Sequence, residues 1–280
     1  MKKKKKYLAP LLSIIVAIVG VLGGYMIGSQ IANKKFIVDK YANLNAEYLF
    51  DDITKLNYQG KTPNQFSAAE VFQIGASIQQ TCDYYKSIGT GDLQTNLGVS
   101  QGTFTLDEKN GNTVHIVFVS SSSYVKVAQQ STFEIGGNVN MQHGETKDGV
   151  YENVVWKDKY DEYTWEGYRE KFGKYANTNS SYIVSSKTVL SQKFDGKNGN
   201  LYTFTIELDP ILGTVTYAQQ IAANLGIEPS AINFKKITLT FTVDDQFKIL
   251  VQDKVEEYSV PMFGMDIELV GTIHNETVYE

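Results

Sequence analysis

The side chains that carry most enzyme chemistry are present in this chain but scattered. His115, His143 and His274 lie far apart, and no His-Glu-x-x-His or Cys-x-x-Cys spacing occurs, so a metal centre has little support. Gly89-Thr90-Gly91 is a glycine pair without the third glycine or the strand-to-helix setting of a dinucleotide loop. No Gly-x-Ser-x-Gly elbow and no phosphate-cradling Gly-x4-Gly-Lys loop is present. Asp107 to Asn112 and Asp195 to Asn200 are oxygen-rich like calcium loops. Neither is followed by the distant bidentate glutamate, and hairpin turns use the same residue types. Acidic neighbours such as Glu256-Glu257 are too common in an acidic chain to nominate a glycosidase pair. Cys82 is the single cysteine and falls on an apolar helical stripe, where it reads as a small buried hydrophobe rather than a reactive thiol. No metal and no cofactor is expected.

One cluster rises above this background. Both tryptophans, Trp156 and Trp165, fall within ten residues of each other, with Tyr168 and Phe172 following at helical spacing. Aromatic side chains offer large contact area with a polar edge, which suits a sugar, an apolar chain or a partner protein. These four are the candidate ligand-binding residues. The competing reading is a helix packing its aromatic side onto a sheet.

The elements that would position them follow from periodicity. Phe36 to Leu56 reads as a helix, with Ile37, Tyr41, Leu44 and Tyr48 on one side. Ser67 and Glu70 form a capping box ahead of a helix whose stripe runs Val71, Gly75, Ile78, Cys82 and Tyr85. From about Leu93 the period becomes two, and short strands follow, separated by Asn110-Gly111 and Asp148-Gly149. A helix is expected from about Asp161 to Tyr175, and another from an Asp209 N-cap and Pro210 to just before Gly226. Strands with a turn at Asn198-Gly199 lie between these two helices. The last strands are expected near Ile237 to Val243, Phe247 to Val251, Val255 to Val260 and Asp266 to Ile273. The fold class is therefore α+β: a curved, mostly antiparallel, half-barrel-like sheet with several packed helices.

The amino terminus predicts a transmembrane helix before that domain. Residues 1–6 form a basic tail, and 7–27 form an apolar run of about 30 Å if helical. Residues 28–66 read as a stalk or helical linker, and 67–280 as the extracytoplasmic domain. Five lysines before the run against Lys34 and Lys35 after it place the N-terminus in the cytoplasm, with a cleaved signal peptide as the alternative. Gly20, Gly24 and Gly28 stack on one helical face and suit a homodimer through the span, although glycine is common in membrane helices anyway. Met1 to Lys35 carries seven lysines and no acid. The remaining 19 basic and 31 acidic residues give the rest a net charge of -12, which disfavours nucleic acid as a partner.

The order of elements, an N-terminal helix, antiparallel strands, a helical insertion and more strands over Ala68 to Ile273, resembles bacterial lipoprotein carriers and their mycobacterial lipid-binding relatives. No diagnostic motif accompanies it. The resemblance implies a concave apolar face beneath helices, with 161–175 and 210–225 as lids over an acyl chain. The resulting expectation is a non-enzymatic domain at the cell membrane that binds a small apolar or amphiphilic ligand. The alternative is an envelope scaffold acting through a protein partner, and an enzyme ranks third.

Overall fold

A computed structural model describes residues 40–41, 44, 46–122, 126–172, 176, 182–225, 227–262 and 265–280. Eleven strands form one sheet. They are β1 (Tyr84–Thr95), β2 (Ser100–Asn110), β3 (Thr113–Ser121), β4 (Lys126–Glu134), β5 (Val139–Glu145), β6 (Val155–Tyr163), β7 (Val189–Asn198), β8 (Leu201–Leu208), β9 (Asn233–Val243), β10 (Ile249–Met262) and β11 (Met265–Tyr279). Their order is β6-β5-β4-β3-β2-β1-β11-β10-β9-β8-β7, and every neighbouring pair is antiparallel. Two meanders thus meet where β1 pairs with β11, joining the chain's early and late strands. Gly111 and Gly199 turn two of the hairpins with φ of +58° and +62°, conformations that L side chains resist.

Three α-helices are described: α1 (Ala68–Thr81), α2 (Trp165–Phe172) and α3 (Val215–Leu225). The capping box of α1 forms, with Glu70 N–H donating to Ser67 Oγ at 3.3 Å and Ser67 N–H to Glu70 Oε2 at 2.9 Å. Alternation along the paired strands puts Leu93, Glu256, Ile237 and Leu208 on one face of the sheet, and the three helices pack on that same face. Phe72 of α1 meets Phe241 of β9 edge-on at 5.3 Å, and Phe241 stacks on Phe204 of β8 at 5.5 Å. Full burial of side chains of this size contributes about 1.5–3 kcal/mol each.

Several expectations are corrected. The anticipated fold class, α+β with an N-terminal transmembrane helix, gives way to a molecule dominated by one large antiparallel sheet. Among the described residues no helix is long and apolar enough to cross a membrane. The apolar run 7–27 and the glycines Gly20, Gly24 and Gly28 lie outside the described residues. In place of a helix over 36–56, the described part holds two 3-10 turns, Ala46–Leu49 and Ile53–Lys55. The helix expected from Asp161 begins only at Trp165, because residues 155–163 pair with β5 as an edge strand. Strand β1 begins at Tyr84 rather than near Leu93, so Tyr85 belongs to the sheet and not to the stripe of α1. Its glycines hid it. A Cβ on Gly89 would stand 2.1 Å from Asn275 Oδ1, and one on Gly91 2.0 Å from the Thr272 carbonyl oxygen, so close packing excludes the β-branched residues that mark strands.

Candidate functional site

The helix-covered face carries two apolar clusters of unequal size. The larger, under α1 and α3, is built mainly on β8 to β11 and includes Phe204, Leu208, Leu239 and Phe241, each no more than 1% exposed. The smaller, under α2, consists of Val114, Phe133, Val139, Met141, Phe172 and Ala176. Between them, in register on the same face, run Asn275 of β11, Gly89 of β1, Thr105 of β2 and Gln129 of β4, with Phe118 of β3 among them. Apolar cover is therefore interrupted by a polar strip.

A small cavity of about 40 Å³ opens where this strip meets α2 and α3. Its apolar walls include Phe118, Met141, Tyr168 and Phe172, and its polar ones are Gln129, Ser131 and Gln220. Gln129 and Gln220 are 5% and 2% exposed, and the Oε1 atom of each is buried without a hydrogen-bond partner. A buried amide oxygen in that state forfeits about 1–3 kcal/mol. Burial pushes the Tyr168 hydroxyl up to about 12, with the neighbouring Tyr163 adding to the shift, so it stays protonated at neutral pH.

The densest ionisable group lies elsewhere on this face. Glu256 of β10 is 4% exposed and accepts hydrogen bonds from Tyr182 Oη and, at 3.2 Å, from Tyr217 Oη of α3. Lys254 Nζ stands 3.6 Å from Glu256 Oε2 and lies over the rings of Tyr182 and Tyr217 at 5.3 and 5.5 Å. Burial, reinforced by the Glu256 charge, holds the hydroxyls of Tyr182, Tyr217 and Tyr258 well above the usual tyrosine range. Each carboxylate oxygen is engaged, and Glu256, Tyr182 and Tyr217 line neither this cavity nor the groove described next. What the arrangement does is fasten α3 to the sheet.

The opposite face bears no α-helix among the described residues. There Tyr151 and Val154 of the loop between β5 and β6, with Trp156 at the start of β6, cover Leu106, Val117, Val119 and Ala128. Beside that loop a groove of about 660 Å³ crosses β2, β1, β11 and β10, bounded by Phe104, Tyr151, Asp92, Asp253 and His274. Phe104 and Tyr151 stack at 5.5 Å. Hydrogen bonds from His274 to Asp253 at 2.7 Å and to Glu276 at 3.4 Å raise the imidazole above its ordinary value, on a side chain that is 47% exposed.

The structure therefore divides the aromatic set found in the sequence. Trp165, Tyr168 and Phe172 gather in the smaller cluster, with Trp165 against Phe133 at 5.7 Å and Tyr168 against Phe172 at 4.5 Å. Trp156 is on the other face, because β6 carries it in register with Gly144. Among the described residues no group of three or more His, Cys, Asp and Glu is placed to hold a metal ion. Cys82 caps the end of α1 half-buried, and burial raises its thiol. Gln129, Gln220 and Lys254 escaped sequence reading, and Glu256 was met only as half of an uninformative acidic pair. Two polar residues at period two, Lys254 and Glu256, facing the covered side of a strand were the one available signal.

No family model and no curated protein matches the sequence. Among solved structures, a LolA superfamily protein from Nitrosomonas europaea is similar over 77% of this chain and 94% of its own, at 10% identity and a TM-score of 0.27. A structure from the de novo design of transmembrane β-barrels covers 71% of this chain and 98% of its own at 5% identity and a TM-score of 0.20. A porin-like protein from Bacteroides uniformis covers 71% and 97% at 9% identity and a TM-score of 0.16. TM-scores this low carry no argument, so the expected kinship with lipoprotein carriers stands as a weak likeness to one member of the LolA superfamily.

Proposed function

We propose that the protein is a ligand-binding β-sheet domain whose ligand enters between α2 and the sheet, with α2 and α3 as its cover. One observation carries this reading: the apolar packing of the helix-covered face breaks where α2 and α3 adjoin, and the break holds a cavity lined by Gln129 and Gln220, each with a buried Oε1 that has no hydrogen-bond partner. The cavity as it stands holds about one water molecule, so a chain is admitted only when α2 lifts. That movement costs little compared with displacing α1 or α3, since α2 is eight residues long and rests on the smaller cluster. The ligand's apolar part then takes the place of Trp165, Tyr168 and Phe172 against Phe133 and Met141.

Trp165 supplies the readout. In a Trp156→Phe variant it is the sole tryptophan, and titration with 1-decanol is expected to change its emission saturably. Absence of any change, together with no chain retained after gel filtration, overturns the reading.

A second reading, a scaffold acting through a protein partner, is favoured by the helix-free face. Ile88, Val255, Val270 and Val278 are each at least 40% exposed there, alongside the groove. Crosslinking in cells from cysteines placed at Val270 and at Val278 is expected to trap a partner under this reading and nothing under the first.

A further inference from the structure

The groove on the helix-free face has a floor that the fold does not account for. One row of residues crosses it in register, Ser121, Gly102, Asp92, Thr272 and Val255, and His274 and Asp253 lie in the next row. Among the described glycines Gly102 alone has neither a positive φ nor any atom within 4 Å of where a Cβ would stand. Glycine weakens a strand interior, so one that serves no turn and no internal contact marks a place where another backbone or a ligand comes close. The groove also carries negative charge that the protein leaves unbalanced. Its carboxylates are Glu152, next to Tyr151 at the β2 end, Asp92 on β1 and Asp253 on β10. Of the lining side chains only Lys254 and His274 can be cationic, and Lys254 Nζ is turned to the covered face, 3.6 Å from Glu256 Oε2. His274 is held between Asp253 and Glu276. Among the described residues neither Asp92 nor Glu152 has a hydrogen bond or ion pair to its carboxylate. A cationic occupant is therefore favoured and an anionic one repelled. The four strands, about 4.8 Å apart, give a floor about 14 Å across, the span of about four extended residues. Each of them is paired on both sides, so recognition runs through side chains and not through strand addition. Exposed Ile88, Val255, Val270 and Val278 extend the apolar surface beyond what a small amine would cover.

We infer that this groove docks an extended, basic segment of a protein partner, its backbone passing close over Gly102 and its lysine or arginine side chains reaching Asp92 and Glu152. This rests on the second reading above, a scaffold acting through a protein partner, and is independent of chain entry under α2.

Fluorescence anisotropy on the full-length protein tests it with a labelled Lys-Val-Lys-Val-Lys peptide and a copy in which every lysine is acetylated. The basic peptide is expected to bind at least about tenfold more tightly than the acetylated one, with the advantage fading towards 1 M salt, where the screening length is about 3 Å. Asp92→Asn is expected to weaken binding about two- to fivefold, the effect of a partly exposed ion pair. Glu228→Gln makes the same charge change ahead of the 3-10 turn Pro229–Ala231 next to α3, and is expected to leave binding as in the wild type. Gly102→Ile is expected to abolish binding by raising the floor. It displaces nothing and suits a strand, so the thermal midpoint is expected to stay or rise. Should it misfold, Asp92→Asn and Glu152→Gln, both on exposed side chains, carry the test. If the two peptides bind equally, if salt has no effect, or if Gly102→Ile folds and binds as the wild type does, the inference is overturned. Equal effects from Asp92→Asn and Glu228→Gln place binding in the net charge and overturn it too. Displacement of the peptide by an equal concentration of spermidine assigns the groove to small polyamines, and the docking of a protein segment falls. If the basic peptide does not bind, the inference is overturned; the scaffold reading survives that result when cysteines at Val270 and Val278 still trap a partner, and falls with it when they trap nothing.

Discussion

The two halves of the helix-covered face are made from the same kinds of residue but packed to different depths. Under α1 and α3, 27 buried side chains form one continuous cluster, and Leu208, Ile237, Leu239 and Val243 are fully enclosed. Among the described residues the apolar cluster under α2 has six buried members, and the aromatic ones that complete the packing, Tyr163, Trp165 and Tyr168, are only partly covered. Burial scales with the free energy that must be returned to open a region, so the first half holds the fold and the second is the half that can move. Differences of this kind are how one sheet supplies both a rigid frame and a site. The Glu256 network sharpens the contrast, since its bond from Tyr217 ties α3 to the frame and α2 has no equivalent buried ion pair among the described residues.

The largest effect is expected in the frame. Phe241→Ala removes a ring that is 1% exposed and packed against both Phe72 and Phe204, and is expected to cost about 3–5 kcal/mol in urea unfolding. Glu256→Leu comes next. It removes the counter-charge of Lys254 and the acceptor that Tyr182 and Tyr217 share, and is expected to cost about 3 kcal/mol, the low end for a broken buried pair because the Lys254 side chain retains 15% exposure. Phe172→Ala is expected to cost only about 1–2 kcal/mol, because its neighbours can collapse into the space, while it alters the Trp165 response to decanol. Equal losses from Phe241→Ala and Phe172→Ala would erase the distinction between the halves.

How much of this was legible in the sequence divides along the same line. The alternation at Tyr202, Phe204, Ile206 and Leu208, and again at Ile237 to Val243, announced β8 and β9 because one face of each strand is wholly buried. The Ser67–Glu70 box marked the start of α1 because it is satisfied within four residues. Strand β1 was not legible: its close contacts demand glycine at 89 and 91, and those contacts come from β2 and β11, which lie near in space but up to about 180 residues away. Strand β6 was obscured by edge exposure, since Lys157, Asp158 and Lys159 need no alternation where both faces meet water. The amides fared worst. A glutamine in a short strand is unremarkable until the fold brings Gln220 of a distant helix to the same cavity.

The smallest expected effect concerns how the frame is joined to the chain that precedes it. Asp51, between two 3-10 turns, accepts from the backbone N–H and Oγ of Ser186 at 2.6 and 2.7 Å and from Gln73 Nε2 at 3.1 Å, while Lys187 Nζ donates to the carbonyl of Tyr48 at 2.6 Å. Burial acts to raise the Asp51 carboxyl, but the bonds from Ser186 and Gln73 and the charge of Lys187 outweigh it, and the folded value lies below the usual carboxylate range. A lowered folded pKa means that the contribution to stability is complete above the unfolded value of about 4 and is lost as pH falls through the folded one. Because Asp51 is only partly buried, solvent screening limits the contribution to about 1 kcal/mol or less. Asp51→Asn is therefore expected to lower the urea midpoint modestly at pH 7 and 5, and the gap from the wild type is expected to close towards pH 3. A gap that persists unchanged at pH 3 would place the effect in packing rather than in the carboxylate, and would make this joint an extension of the large apolar cluster rather than a polar tie to it.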